Sequence, residues 1–141
     1  MSGKFRFSYP IKVRYVETDA QGHVFFGHYY TYFDVGMMEY MTAIGYSYQD
    51  LLDEGMDLLY VESLCRHQAP AYYDDVLDVH TRIGKIGNSS LTFEFHICRN
   101  GSDQLVAMGH IVAVNVDKDN RKPMRVPEAL RLAVQEYESS G

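Results

Sequence analysis

The sequence predicts an α+β fold, an antiparallel five-stranded sheet wrapped around one long helix. Three observations lead there. Apolar residues recur at helical spacing over Tyr29, Tyr32, Phe33, Gly36, Met37, Tyr40, Met41 and Ile44, which marks a helix with a stripe to bury. Beyond Leu58 the chain alternates apolar and polar residues in runs separated by turn residues, the period of half-buried strands. With a single long helix and one sheet, each must cover the apolar face of the other.

Taken in order, a β-rich stretch from Tyr9 to Glu17, with Pro10 near its start, reads as the first strand. Gly22 and Gly27 bracket a turn. The long helix begins at Tyr29 and stops at Gly45. A shorter helix is expected from Ser47, a good N-cap, to Glu54, with Gly55 as its stop. Strands follow over Leu58–Arg66, Asp75–Ile86, Leu91–Cys98 and Leu105–Val116, with Pro70 marking an irregularity after the first of them. Asn100 to Asp103 is a turn. Asp117 to Pro127 is polar, and a last amphipathic helix runs from Pro127, suited to a first helical position, to about Tyr137. The tail from Glu138 is expected to fray.

The hairpin at Gly87-Asn88-Ser89 carries a register argument. A three-residue loop sets Ile83 opposite Phe93, Thr81 opposite Phe95 and Arg82 opposite Glu94, which keeps apolar residues together and pairs opposite charges. A two-residue loop would mix the faces. No repeat or linker interrupts the chain, so residues 1–141 read as one domain.

Composition narrows the function. Hydrophobic residues make up 46% of the 141 residues, enough for a real core. Twelve Tyr and no Trp suggest half-buried surfaces such as a pocket wall or a subunit interface. A net charge of −6 disfavours nucleic acid and anionic membranes as partners. An anionic small molecule would need a local cluster of Lys and Arg. Cys65 and Cys98 match no metal spacing and read as free thiols in a reducing compartment. The opening residues lack the apolar run of an export signal, and no stretch approaches the roughly 20 apolar residues of a membrane span. A cytoplasmic protein is expected.

The chemistry concentrates in Val13-Arg14-Tyr15-Val16-Glu17-Thr18-Asp19-Ala20-Gln21-Gly22-His23-Val24-Phe25-Phe26-Gly27-His28-Tyr29. This run places the carboxylate of Asp19 beside the positive end of the long helix. There the backbone N–H groups of Phe26 and Gly27 are available to polarise a carbonyl oxygen. A carboxylate beside an oxyanion site is a minimal acyl-transfer machine. The competing reading makes Asp19 a cap or Asx-turn former. Glu17 reads as a solvated charge at a strand end. His23 and His28 with Asp19 do not complete a metal site, so no metal is expected. His23 supports the turn by hydrogen bonding and is a candidate to orient substrate or water. His80 and His96 fall as cross-strand neighbours on a polar face. The Tyr and Met stripe is core, part of it free to line a pocket.

Those residues also carry a resemblance. The run from Arg14 to Val24, followed by Tyr29 and Tyr32-Phe33, together with Ala69-Pro70-Ala71-Tyr72-Tyr73-Asp74-Asp75-Val76-Leu77, resembles the hot-dog-fold acyl-CoA thioesterases of the 4-hydroxybenzoyl-CoA thioesterase-like subgroup. The resemblance implies a hot-dog fold and hydrolysis of a small aromatic or short- to medium-chain acyl-CoA to the free acid and coenzyme A. It implies a homodimer with sheets joined edge to edge, commonly a homotetramer, with active sites at the dimer interface. Asp19 falls on that subgroup's catalytic carboxylate, as nucleophile or general base. Where many relatives carry Asn-Asn after the His-Val pair, this chain has Phe25-Phe26, which leaves the backbone amides as donors. His23, Tyr29, Tyr60, Tyr72 and Tyr73 would meet the acyl group, and Arg121, Lys122 and Arg125 the phosphates of coenzyme A. No cofactor is implied, coenzyme A being part of the substrate. Two other readings stand beside this one: a hot-dog hydratase or dehydratase with His23 in its acid–base pair, and a non-catalytic binding protein in which Asp19 only caps.

Overall fold

The apolar stripe forms α1, His28–Ile44, in a computed structural model that describes residues 4–139. Tyr29, Tyr32, Phe33, Gly36, Met37, Tyr40 and Met41 are all buried along it. Gly45, in the left-handed region, ends the helix, and its N–H bonds Thr42 O at 3.1 Å. The remaining elements are β1, Phe7–Lys12; α2, Tyr48–Asp53; β2, Met56–His67; β3, Val76–Ile86; β4, Ser90–Arg99; β5, Leu105–Asp117; and α3, Glu128–Ser139. The five strands form one antiparallel sheet in the order β1-β3-β4-β5-β2.

α1 lies on the sheet face lined by Leu77, Val79, Phe93, Phe95 and Ile111, all buried. Phe33 stacks on Phe95 with centroids 4.2 Å apart and planes 10° from parallel. Gly36 permits the close approach. A Cβ built there would stand 2.6 Å from Thr81 Oγ1 and 2.8 Å from Val79 Cγ1, inside van der Waals contact. At its far end α1 meets α3 through the rings of Tyr40 and Tyr137, and Tyr40 donates a hydrogen bond to Glu138 at 2.5 Å. The expected fraying of the tail from Glu138 is therefore not met at that residue, which is helical. Residues 140 and 141 lie outside the described residues.

The β3–β4 pairing has the expected register, with Thr81 opposite Phe95, Arg82 opposite Glu94 and Ile83 opposite Phe93. Arg82 Nε donates to Glu94 Oε1 at 2.7 Å. The loop itself differs. A bulge between Ile83 and Lys85 shifts the tip so that Ile86 faces Leu91, and Gly87 N–H bonds Ser90 O.

A second bulge decides which side of β2 faces α1. The β2–β5 register shifts between Tyr60 and Glu62. Before the bulge, Leu58 and Tyr60 oppose Asn115 and Ala113; after it, Ser63, Cys65 and His67 oppose Ile111, Gly109 and Ala107. The inward-facing positions of β2 thus change from even to odd numbers.

The first strand ends earlier than expected. β1 stops at Lys12, and Tyr15–Glu17 form a 3-10 turn. An Arg14–Glu17 pair closes that turn: Glu17 Oε1 accepts Arg14 N–H at 2.9 Å, and Oε2 accepts Arg14 Nη2 at 2.6 Å. A carboxylate that accepts both the backbone and the side-chain N–H of the residue three earlier favours one helical turn over continued extension.

Candidate active site

Asp19 sits at the head of a miniature hairpin. Its N–H bonds His23 O at 2.9 Å, Gly22 N–H bonds Asp19 O at 3.0 Å, and Thr18 bridges Val24. Gly22, at φ +87°, makes the reversal that an L side chain resists. The Asp19 side chain serves the turn as well: Oδ1 accepts Gln21 N–H at 2.9 Å, so the Asx-turn geometry is present. Oδ2 stands 3.6 Å from His23 Nδ1, and that nitrogen also lies 3.2 Å from Val24 O.

The hairpin is tied down on three sides. Phe25 N–H bonds Glu17 O at 2.9 Å, and Val24 N–H bonds Ala71 O at 2.8 Å. Glu17 is no solvated strand-end charge: it is 2% exposed and accepts the Tyr32 hydroxyl from α1 at 2.9 Å. Burial acts to raise its pKa, but hydrogen bonds from Arg14 and Tyr32 and the Arg14 charge outweigh it and hold the carboxyl below its ordinary value. The Arg14-x-x-Glu17 spacing carried that signal.

Asp19, His23, Phe26 and Tyr29 line one cleft of about 460 Å³, together with Gln21, Val24, Phe25 and, from the end of β2 and the loop after it, His67, Gln68, Ala69 and Pro70. Gly27, the residue before α1, is next to this lining. The amides of the turn are used unevenly. His28, Tyr29 and Tyr30 N–H bond Phe25, Phe26 and Gly27 O. Among the described residues, the N–H groups of Phe26 and Gly27 donate to no protein acceptor. Tyr29 is buried, with its pKa pushed up to about 12 by burial and the neighbouring Cys65, and its ring lies 5.3 Å from that of His67. Among the described residues, no three His, Cys, Asp or Glu side chains are grouped to hold a metal ion.

The family model of the thioesterase-like superfamily matches residues 13–134. The chain belongs to this superfamily. The acyl-CoA thioesterase YbgC of Haemophilus influenzae is 28% identical over 128 residues, covering 90% of this chain and 93% of its own length. A solved protein from Pseudomonas aeruginosa strain PAO1 is 28% identical with a TM-score of 0.85, over 98% of this chain and 95% of its own. A solved gentisyl-coenzyme A thioesterase is 27% identical with a TM-score of 0.79, over 92% and 99%. The chain has the hot-dog fold implied by the resemblance and shares it with these solved structures.

In this thioesterase-like chain other expected residues stand apart from the cleft. Tyr60 lines a separate hollow of about 460 Å³ with Tyr30, Asp34, Ser63 and Ile111, and burial followed by the Asp34 charge pushes its pKa up to about 12. Tyr72 is bridged through its backbone to His23 but leaves its side chain half-exposed. Tyr73 is exposed and meets Tyr15 edge to face at 6.1 Å. Arg121 reaches Asp57 at 3.5 Å, at the start of β2, and Arg125 donates to Asn88 Oδ1 at 3.1 Å; Lys122 sits in the same loop. His67, at the end of β2, is a cleft residue that sequence reasoning missed. No helix among the described residues is long and apolar enough to cross a membrane.

Proposed function

We propose that this chain is an acyl-CoA thioesterase that hydrolyses a small aromatic or short- to medium-chain acyl-CoA to the free acid and coenzyme A. One observation carries the reading: Asp19 and Phe26, whose N–H has no protein acceptor among the described residues, line the same cleft. The thioester carbonyl lies against the leading turn of α1, where the Phe26 and Gly27 amides stabilise the oxyanion. One such donor contributes about 3–4 kcal/mol in related sites. Asp19 acts as general base on a water, or as nucleophile through a mixed anhydride. On the base route, water oxygen bonds the acyl carbon and its proton passes to Asp19. The C–S bond then breaks, and the thiolate leaves with the bonding pair and takes a proton. Thiolate is a good leaving group, so no strong acid is required. No cofactor enters.

His23 holds the Asp19 hairpin, and Tyr29 forms the floor of the acyl pocket. An aromatic acyl group is favoured by the ring-lined wall of Phe25, Phe26 and Tyr29, and the gentisyl-coenzyme A thioesterase among the relatives supports it. Asp57 and His67 are ten residues apart on β2, about 30 Å of extended chain. Arg121, Lys122 and Arg125 therefore meet coenzyme A phosphates across a subunit boundary, which favours a homodimer or homotetramer; Tyr60 and Tyr73 would contribute in the same way, whereas Tyr72 pairs with His23 at the edge of this chain's own cleft. The test is free-thiol release from benzoyl-, phenylacetyl- and short- to medium-chain acyl-CoA. Turnover on part of the panel, lost in Asp19→Asn, is the expected result. A flat response with folded protein overturns the reading in favour of a binding protein.

A further inference from the structure

We infer that His67 is a catalytic residue of this cleft, its Nε2–H donating to the thioester carbonyl oxygen, and that Cys65 is the positioning residue that holds its imidazole in the required tautomer. The inference rests on the hydrolase reading above.

Placement comes first. The shift between Tyr60 and Glu62 puts Cys65 and His67 on the α1 side of the sheet. An unbroken alternation from Leu58 would send both to the outer face. His67 thereby joins Asp19 in the lining of the cleft. Its ring is exposed and meets two aromatic rings edge-on, 6.3 Å from Phe26 at 89° and 5.3 Å from Tyr29 at 60°. Phe26 is also the residue whose backbone amide is offered to the oxyanion, so the imidazole and that amide belong to residues lining the same cleft.

The tautomer follows from Cys65. Its Sγ lies 4.0 Å from His67 Nδ1, within reach of a weak S–H donor. Burial pushes the thiol up to about 11, so at neutral pH the sulfur keeps its proton. The thiol then donates, Nδ1 accepts, and the ring proton resides on Nε2. Among the described residues Nε2 has no hydrogen-bond partner. An imidazole with its outer N–H unused is a ready donor to an oxyanion. It would add to the Phe26 and Gly27 amides: the Phe25 and Phe26 side chains present hydrocarbon, and His23 Nδ1 is turned toward Val24 O and Asp19.

The test combines kinetics with a spectroscopic readout. His67→Phe keeps the ring contacts and removes the donor. His67→Gln places an amide nitrogen near the Nε2 position. His67→Asn places one near Nδ1 and serves as the donor-free variant if His67→Phe fails to fold. The expected result is a kcat loss of about 10²–10³-fold in His67→Phe with KM little changed, and recovery of at least about tenfold in His67→Gln. A His67→Phe kcat within about threefold of the parent, a loss confined to KM, or no recovery in His67→Gln overturns the catalytic role. Imidazole ¹⁵N NMR reads the tautomer without turnover: a protonated Nε2 and bare Nδ1 in the parent, and mixed tautomers in Cys65→Ala. A protonated Nδ1 in the parent overturns the Cys65 role. Absence of turnover in the parent protein on every thioester overturns the hydrolase reading, and His67 catalysis with it, while the NMR result still decides the Cys65–His67 pairing.

Discussion

The Tyr32 hydroxyl donates to Glu17 Oε1 across 2.9 Å of buried space, so the long helix grips the turn that leads into Asp19. The same carboxylate takes two side-chain hydrogen bonds from Arg14 and a third from its backbone. Glu17→Ala leaves the Tyr32 hydroxyl buried without this acceptor, at a cost of about 1–3 kcal/mol. Tyr32→Phe removes one bond and leaves the Arg14 pairing, costing about 1 kcal/mol. Thermal unfolding should rank the two in that order, and turnover should fall with the Glu17 variant as the Asp19 hairpin loosens.

Acid should act through the same group. The folded carboxyl of Glu17 titrates below its ordinary value of 4.5. Its stabilising contribution is therefore complete above the unfolded value and is lost as pH falls through the folded one. The thermal midpoint should decline on acidification below about 4.5. Glu17→Gln should start lower at neutral pH and decline less steeply. Parallel declines in the two proteins would assign the acid sensitivity elsewhere.

Asp19→Asn should separate chemistry from folding. An Asn side-chain oxygen still accepts the Gln21 N–H that Asp19 Oδ1 now holds, so the turn survives. Turnover should fall by about 10²–10⁴-fold, with the thermal midpoint nearly unchanged. Single turnover in ¹⁸O-water then distinguishes the two roles of the carboxylate: a nucleophile acquires the label on Asp19, and a base does not.

Gly36→Ala should destabilise despite the better helix propensity of Ala. The propensity gain is about 1 kcal/mol. The new methyl meets Thr81 Oγ1 and Val79 Cγ1 well inside contact distance, and such overpacking costs about 1–3 kcal/mol. Urea denaturation should give a lower midpoint with an unchanged slope.

Periodicity in the chain read α1 correctly because its stripe is uninterrupted and its Gly stop is local. The β3–β4 register was legible for a similar reason: only one pairing keeps the aromatic residues together and sets Arg82 against Glu94. The bulge near Gly84 was not, because an extra residue leaves the alternation of the hairpin body intact. The end of the first strand was misread because Tyr15 and Val16 are β-formers, and the Arg14–Glu17 pair that turns the chain acts through side chains. On the site side, the carboxylate and the helix entrance lie in one short run and could be read together. His67 could not, since its place in the cleft depends on where β2 changes face and on a contact with α1 from far along the chain.

The small hairpin from Thr18 to Val24, held by Glu17, Ala71 and its own ladder, bears on how fast a ligand is captured. Its ordering is completed during folding, so an incoming molecule meets a seat already shaped and sacrifices little chain freedom on arrival. Rapid-mixing association should show one concentration-dependent phase, without a slow later step contributed by this hairpin.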